Sequence, residues 1–146
     1  MLRAKIAVFV SGGGTNLQAL IDAEQSGIIK SGEITLVISS KDGVYALERA
    51  ETARIKNVSV NKKSCTSQQE FEEKIIAILK ENKIDVIVLA GFLSILSSDF
   101  TKKYRNRIIN VHPSLIPSFC GKGYYGLKVH EAALNYGVKV TGATVH

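Results

Sequence analysis

Apolar runs recur along the chain at spacings that leave room for a helix between most of them. "KIAVFVS" (5–11), "EITLVISS" (33–40), "NVSVN" (57–61), "DVIVLAG" (85–91) and "RIINVHPS" (107–114) read as strands. Several are apolar at consecutive positions rather than at alternate ones, as a sheet covered on both faces requires. Between them lie helical patterns. The clearest spans Gln68 to Asn82, with Phe71, Ile75, Ile78 and Leu79 on one stripe and Ser67 with Glu70 as a capping box. A second covers Val44 to Ile55. A third begins near Gly126 and carries Val129, Ala132, Ala133 and Leu134 toward a stop at "NYG". This alternation predicts an α/β fold: a mostly parallel sheet with right-handed crossovers and helices on both faces, Rossmann-like and three-layered.

A chain of 146 residues, 45% of them hydrophobic, can bury one sizeable core, and no repeat, low-complexity tract or linker divides it. A single domain over 1–146 is expected. The opening "MLRAKIAVFVS" is too short to span a bilayer and lacks a cleavage site, so a cytoplasmic protein is expected, with no membrane partner. Cys65 and Cys120 sit far apart in polar surroundings, which makes neither a disulfide framework nor a metal pattern. His112, His130 and His146 lack ligand-like spacing, and no metal is expected.

Lysine and arginine exceed aspartate and glutamate by 19 − 13 = 6, and the excess is scattered. Without an arginine-rich run or a basic stripe interleaved with aromatics, a nucleic-acid surface is not expected; a small phosphate-bearing molecule is the better partner. In open α/β sheets ligands bind beyond the carboxyl ends of the strands, so the residues just after each strand carry the functional reading.

Three such places stand out. After the first strand comes "SGGGTNLQ" (11–18), where three glycines allow a sharp turn, Thr15 with Gln18 reads as a capping box, and a helix N-terminus offers N–H groups to an anion. The third glycine of a dinucleotide fingerprint is replaced by Leu17 and a P-loop lysine is missing, which favours a monophosphate; a tight turn with no ligand stays open. After the fourth strand, Gly91 precedes Phe92, Leu93, Ile95 and Leu96, either an apolar wall for a ring-shaped ligand or ordinary core. At the end of the fifth strand, Asn110 and His112 are two residues apart and so project to the same side, ahead of Pro113. An amide donor for an oxygen gaining charge and an imidazole able to move a proton suit collapse of a tetrahedral intermediate. A histidine satisfied by a turn carbonyl is the alternative. The irregular "PSLIPSFCGKGYYG" that follows has the length of a functional loop.

"SGGGTNLQALID", "VLAGFLSILS", "NVHPSLIPSF" and "GVKVTGATVH", in this order, resemble the phosphoribosylglycinamide formyltransferase (glycinamide ribonucleotide transformylase) family of folate-dependent formyltransferases, over essentially the whole chain. The resemblance implies transfer of the formyl group of 10-formyltetrahydrofolate, the co-substrate, to the amine of glycinamide ribonucleotide in purine biosynthesis, without a metal or a covalent enzyme adduct. It implies a phosphate-binding loop over 11–18, with Gly14, Thr15 and Asn16 on the substrate phosphate. It implies a folate-lining segment over 91–97, with Leu93, Ser94, Ile95 and Leu96 joined by Asn110 and Gln68. It also implies a catalytic strand end over 107–114, where Asn110 steadies the formyl oxygen and His112 is the general acid. Gln68 and Ser94 stand where the family often carries arginines that touch folate.

The final "VKVTGATVH" (138–146) is an alternating strand pattern followed by no turn or cap. The expectation is a truncated chain, the N-terminal portion of such a domain, with low or no activity because the family's catalytic aspartate lies beyond the last strand. Oligomeric state is left open, a homodimer included. Two rivals follow from the same residues: another folate-dependent enzyme, such as methionyl-tRNA formyltransferase or formyltetrahydrofolate deformylase, and a non-catalytic nucleotide or NADP module reading a 2′-phosphate at "SSK" (39–41).

Overall fold

The computed structural model describes residues 2–146, which form two compact units, one running to Ile108 and the other from Ile109 to His146. In the first, β1 (Ala4–Val10), α1 (Thr15–Gln25), β2 (Gly32–Ser39), α2 (Tyr45–Thr52), β3 (Lys56–Ser59), α3 (Gln68–Glu81), β4 (Val86–Leu89) and α4 (Ser98–Lys103) follow one another, with a short 3-10 turn at Lys62–Ser64. The strands lie in the order β3-β2-β1-β4, all parallel. Beyond β4, the Ile87 N–H donates to the Arg107 carbonyl at 2.8 Å. Among the described residues no helix is long and apolar enough to cross a membrane.

The unbroken apolar runs have a direct physical meaning here. Along β1, Ala7 and Phe9 join a core with Phe71, Ile75 and Leu79 of α3 and Phe100 of α4, while Val8 and Val10 join a second core with Leu17 and Ile21 of α1 and Ala46 and Ala50 of α2. Successive side chains therefore point into two different interiors, as they must when helices cover both faces. Phe9, Phe71 and Phe100 are fully buried, each contributing about 1.5–3 kcal/mol by removal of apolar surface from water. On β2 the pairing with β1 slips by one residue between Ile6 and Ala7, so Ile34 and Val37 face one core while Leu36 and Ile38 face the other.

In the second unit, β5 (Ile108–His112) pairs antiparallel with β6 (Thr144–Val145), and α5 (Leu127–Tyr136) lies between them in sequence. α5 ends at Gly137, whose φ of 82° places it in the left-handed region that closes helices, as "NYG" predicts. It buries Val129 and Ala133, whereas Leu134, expected on the same stripe, is 80% exposed. Leu134 follows Ala133 by one position, a rotation of about 100° that turns it off the buried face.

The capping box of α3 forms in a shifted version. The Ser67 hydroxyl accepts from the Glu70 N–H at 3.0 Å, but Glu70 returns its carboxylate to the amide and hydroxyl of Thr66, at 2.7 and 2.6 Å, rather than to Ser67. With Lys74 at 2.7 Å, these bonds hold the Glu70 carboxyl down at about 2.

Candidate active site

The glycine loop is shaped from α2. The carbonyl of Gly12 accepts the Ala46 N–H at 3.1 Å, and that of Gly13 accepts Nε of Arg49 at 2.8 Å. Gly14 sits at φ 74°, and a Cβ there would fall 2.7 Å from the Ala46 Cβ and 2.9 Å from its Cα. Only glycine fits both the dihedral and the space. Because left-handed Gly14 takes the N-cap, Thr15 is already helical and the expected Thr15/Gln18 box does not form; Gln18 instead donates to Asp22 at 2.9 Å and accepts from Arg49 at 3.1 Å.

The first helical bond of α1 runs from the Gln18 N–H to the Gly14 carbonyl at 2.9 Å, so the amides of Thr15, Asn16 and Leu17 precede it. A left-handed residue leading into helical ones makes a concave set of N–H groups suited to an anion, at the positive end of the helix. Thr15 and Asn16 are exposed.

The segment after β4 divides the expected apolar wall in two. Phe92 packs edge-on against Phe9, with ring centroids 5.2 Å apart, and Leu96 leans on the core; Leu93 and Ile95 are exposed at 49% and 79%. Exposure thus alternates along the segment, with Phe92 and Leu96 on the core and Leu93 and Ile95 turned outward. The buried hydroxyl of Ser11 ties this segment to the glycine loop, accepting the Leu93 N–H at 2.9 Å while lying 2.6 Å from the Ser40 hydroxyl.

From α3, Gln68 donates Nε2 to the Ile95 carbonyl at 3.0 Å and to Glu72 at 2.6 Å. The buried carboxylate of Glu72 in turn accepts the amide and hydroxyl of Ser97, at 2.6 and 2.5 Å. Burial pushes the Glu72 carboxyl up, but the bonds from Ser97 and Gln68 outweigh it and hold the group below the ordinary glutamate value.

At the end of β5, Asn110 and His146 exchange both backbone hydrogen bonds, at 2.7 and 2.9 Å. The Asn110 amide also donates from Nδ2 to Nε2 of His146 at 2.9 Å. His112 sits opposite Thr144. Its Nε2 lies 2.8 Å from the Phe119 carbonyl. A carbonyl can only accept, so Nε2 carries a proton and Nδ1 is the nitrogen left for exchange. The turn-carbonyl bond weighed against a catalytic role is present, and it fixes the ring's tautomer. Thr144 braces the loop after β5, its hydroxyl donating to the Ser114 carbonyl at 2.7 Å and accepting the Ile116 N–H at 3.0 Å.

Arg49, Glu72, Thr144 and His146 escaped the sequence reading. For His146 a signal existed: "TVH" repeats the i, i+2 polar spacing of "NVH". At "SSK", the Ser39 hydroxyl closes on its own turn, donating to the Lys41 carbonyl at 2.6 Å and accepting the Lys41 N–H at 3.1 Å, while Ser40 is buried with its hydroxyl on that of Ser11.

The sequence model of the formyl transferase family matches residues 4–146, across both units. The chain belongs to the formyl transferase family. This formyl transferase chain is 44% identical over 144 residues to human "Trifunctional purine biosynthetic protein adenosine-3", with 99% of the chain covering 14% of that protein. It is 41% identical over 142 residues to the phosphoribosylglycinamide formyltransferase of Haemophilus influenzae, covering 97% of the chain and 64% of that enzyme. The crystal structure of phosphoribosylglycinamide formyltransferase from Brucella melitensis superposes with a TM-score of 0.89 at 40% identity, over 99% of the chain and 72% of that structure. The chain therefore spans about two thirds or less of the curated relatives' own length.

Proposed function

We propose that this formyl transferase acts on glycinamide ribonucleotide, moving the formyl group of 10-formyltetrahydrofolate to its glycine amine. The observation that carries the reading is the 41% identity to the Haemophilus influenzae phosphoribosylglycinamide formyltransferase over nearly the whole chain. The glycine loop supports the same substrate, since it offers helix N-terminal amides to one phosphate and lacks the features of a dinucleotide or triphosphate loop.

In this reading the substrate phosphate rests on the amides of Gly14, Thr15 and Asn16. Leu93, Ser94 and Ile95 line the folate, with Leu93 and Ile95 giving the exposed apolar contacts and Gln68 holding the backbone at Ile95, while Leu96, expected there as well, packs on the core beneath the segment. The substrate amine attacks the formyl carbon, a C–N bond forms, and the formyl oxygen becomes an oxyanion steadied by the Asn110 amide. His112, protonated on both nitrogens with Nε2 kept on the Phe119 carbonyl, acts as general acid: the intermediate collapses, the bond between the formyl carbon and the folate nitrogen breaks, and that nitrogen takes the Nδ1 proton. The proton lost by the amine then returns to Nδ1, which restores the acid.

Product analysis with glycinamide ribonucleotide, initiator methionyl-tRNA and water as competing acceptors tests this. Formylated ribonucleotide as the main product is expected. Formyl-methionyl-tRNA, or free formate at an undiminished rate, would assign the chain to another branch of the family.

A further inference from the structure

Arg49 approaches the glycine loop from α2 and is held by three contacts. Its guanidinium lies over the Tyr45 ring one turn earlier, 4.7 Å from the centroid, gives Nε to the Gly13 carbonyl at 2.8 Å and gives Nη1 to the Gln18 side chain at 3.1 Å. The preceding carbonyl, that of Gly12, is held by the same helix through the Ala46 N–H at 3.1 Å. Two successive carbonyls of the loop are thus drawn toward α2.

This matters because glycine peptides rotate easily, and a loop of three glycines could present either its carbonyls or its amides to an approaching anion. Carbonyl oxygens would repel a phosphate and amides attract it. A planar guanidinium, fixed by stacking and by a second acceptor, sets the Gly13 peptide where the flexible ammonium of lysine, a single point donor, would not. Its permanent charge also stands beside the loop, adding to the positive end of α1.

We propose that Arg49 is a positioning residue for anion binding: by capturing the Gly13 carbonyl it presets the amides of Gly14, Thr15 and Asn16 for a phosphate monoester. The proposal rests on the phosphate-loop reading above, and its test separates the two. Inorganic phosphate is titrated into the protein while the backbone amide NMR signals of Gly14, Thr15 and Asn16 are followed, in the unchanged protein and in Arg49→Gln and Arg49→Lys. Shifts that saturate are expected in the unchanged protein, with the dissociation constant raised about tenfold or more in Arg49→Gln and by a smaller factor in Arg49→Lys.

In formyl transfer, KM for glycinamide ribonucleotide should rise with the phosphate constant while KM for the formyl donor stays within about twofold. Equal phosphate affinity in Arg49→Gln would overturn the role of Arg49 and leave the loop reading standing. Amides unresponsive to phosphate in the unchanged protein would overturn both. A parallel rise in both KM values would mark Arg49 as a general structural residue and also overturn the proposal. Phosphate binding that depends on Arg49, in a protein that does not use the ribonucleotide, would sustain the proposal and refute only the substrate.

Discussion

The side-chain amide of Asn110 donates to Nε2 of His146 across the β5–β6 pair at 2.9 Å, and the two residues also exchange both backbone bonds. An amide nitrogen cannot accept, so His146 must offer Nε2 as a lone pair and keep its proton on Nδ1. His146 therefore orients the amide assigned to the formyl oxygen.

Removing the partner frees the amide. His146→Ala should lower the rate of formyl transfer by up to about tenfold, and Asn110→Ala by about 10²-fold, the usual loss for an oxyanion donor. If His146 acts only through Asn110, the double variant should be no slower than Asn110→Ala alone. Multiplying losses in the double variant would separate the two residues.

His112 has a distinct signature. His112→Ala should reduce kcat by about 10²-fold or more while glycinamide ribonucleotide binds within about twofold of normal, because general acid catalysis acts on the transition state. Steady-state kinetics combined with calorimetric binding measures both, and near-normal turnover would remove His112 from the chemistry.

Two glycines of the same loop, Gly12 and Gly14, should behave differently. Gly14→Ala forces a Cβ to 2.7 Å from Ala46 at a φ of 74°, and should cost about 2–4 kcal/mol of stability from strain and overpacking together. Gly12→Ala meets nothing within 4 Å and needs no left-handed backbone, so it should fall within about 0.5 kcal/mol of the unchanged protein. Urea unfolding compares them directly; equal losses would contradict the assigned roles.

Glu72 links pH to the segment that follows β4. Its folded carboxyl titrates below the ordinary 4.5, so the carboxylate's stabilisation is complete above that value and is lost as pH falls through the lower, folded value. Glu72→Gln keeps one acceptor oxygen but sets an NH2 group where the carboxylate now accepts from Ser97 on one side or from Ser97 and Gln68 on the other, and should cost about 1–3 kcal/mol at neutral pH for the weakened buried contact. The variant's stability should also fall less steeply below pH 4.5 than that of the unchanged protein. Unfolding curves at neutral and acid pH that run parallel for the two proteins would exclude this role.

Much of this was legible in the sequence because it depends on periodicity. Unbroken apolar runs such as residues 5–11 read as strands with interiors on both sides, and the turn at the glycine loop and the helix stop at Gly137 follow from local backbone rules. Arg49 and Glu72 were invisible for the opposite reason. A charged residue on a helix reads as solvated surface until the fold brings it to a carbonyl 36 positions away, as with Arg49 and Gly13, or under Ser97, 25 positions on, as with Glu72. The Thr15 cap failed because a left-handed glycine can take the N-cap in place of a hydroxyl, a choice that depends on the room left by Ala46.

The central claim is that the glycine loop holds the phosphate of an acceptor whose amine is then formylated. It is tested most directly by comparing formyl transfer to glycinamide ribonucleotide with transfer to the same molecule lacking its phosphate. The account predicts a kcat/KM lower by about 10²-fold or more for the dephosphorylated acceptor, carried mainly in KM, since the loop's amides and the helix dipole act on the phosphate alone. Equal kcat/KM for the two acceptors would contradict it.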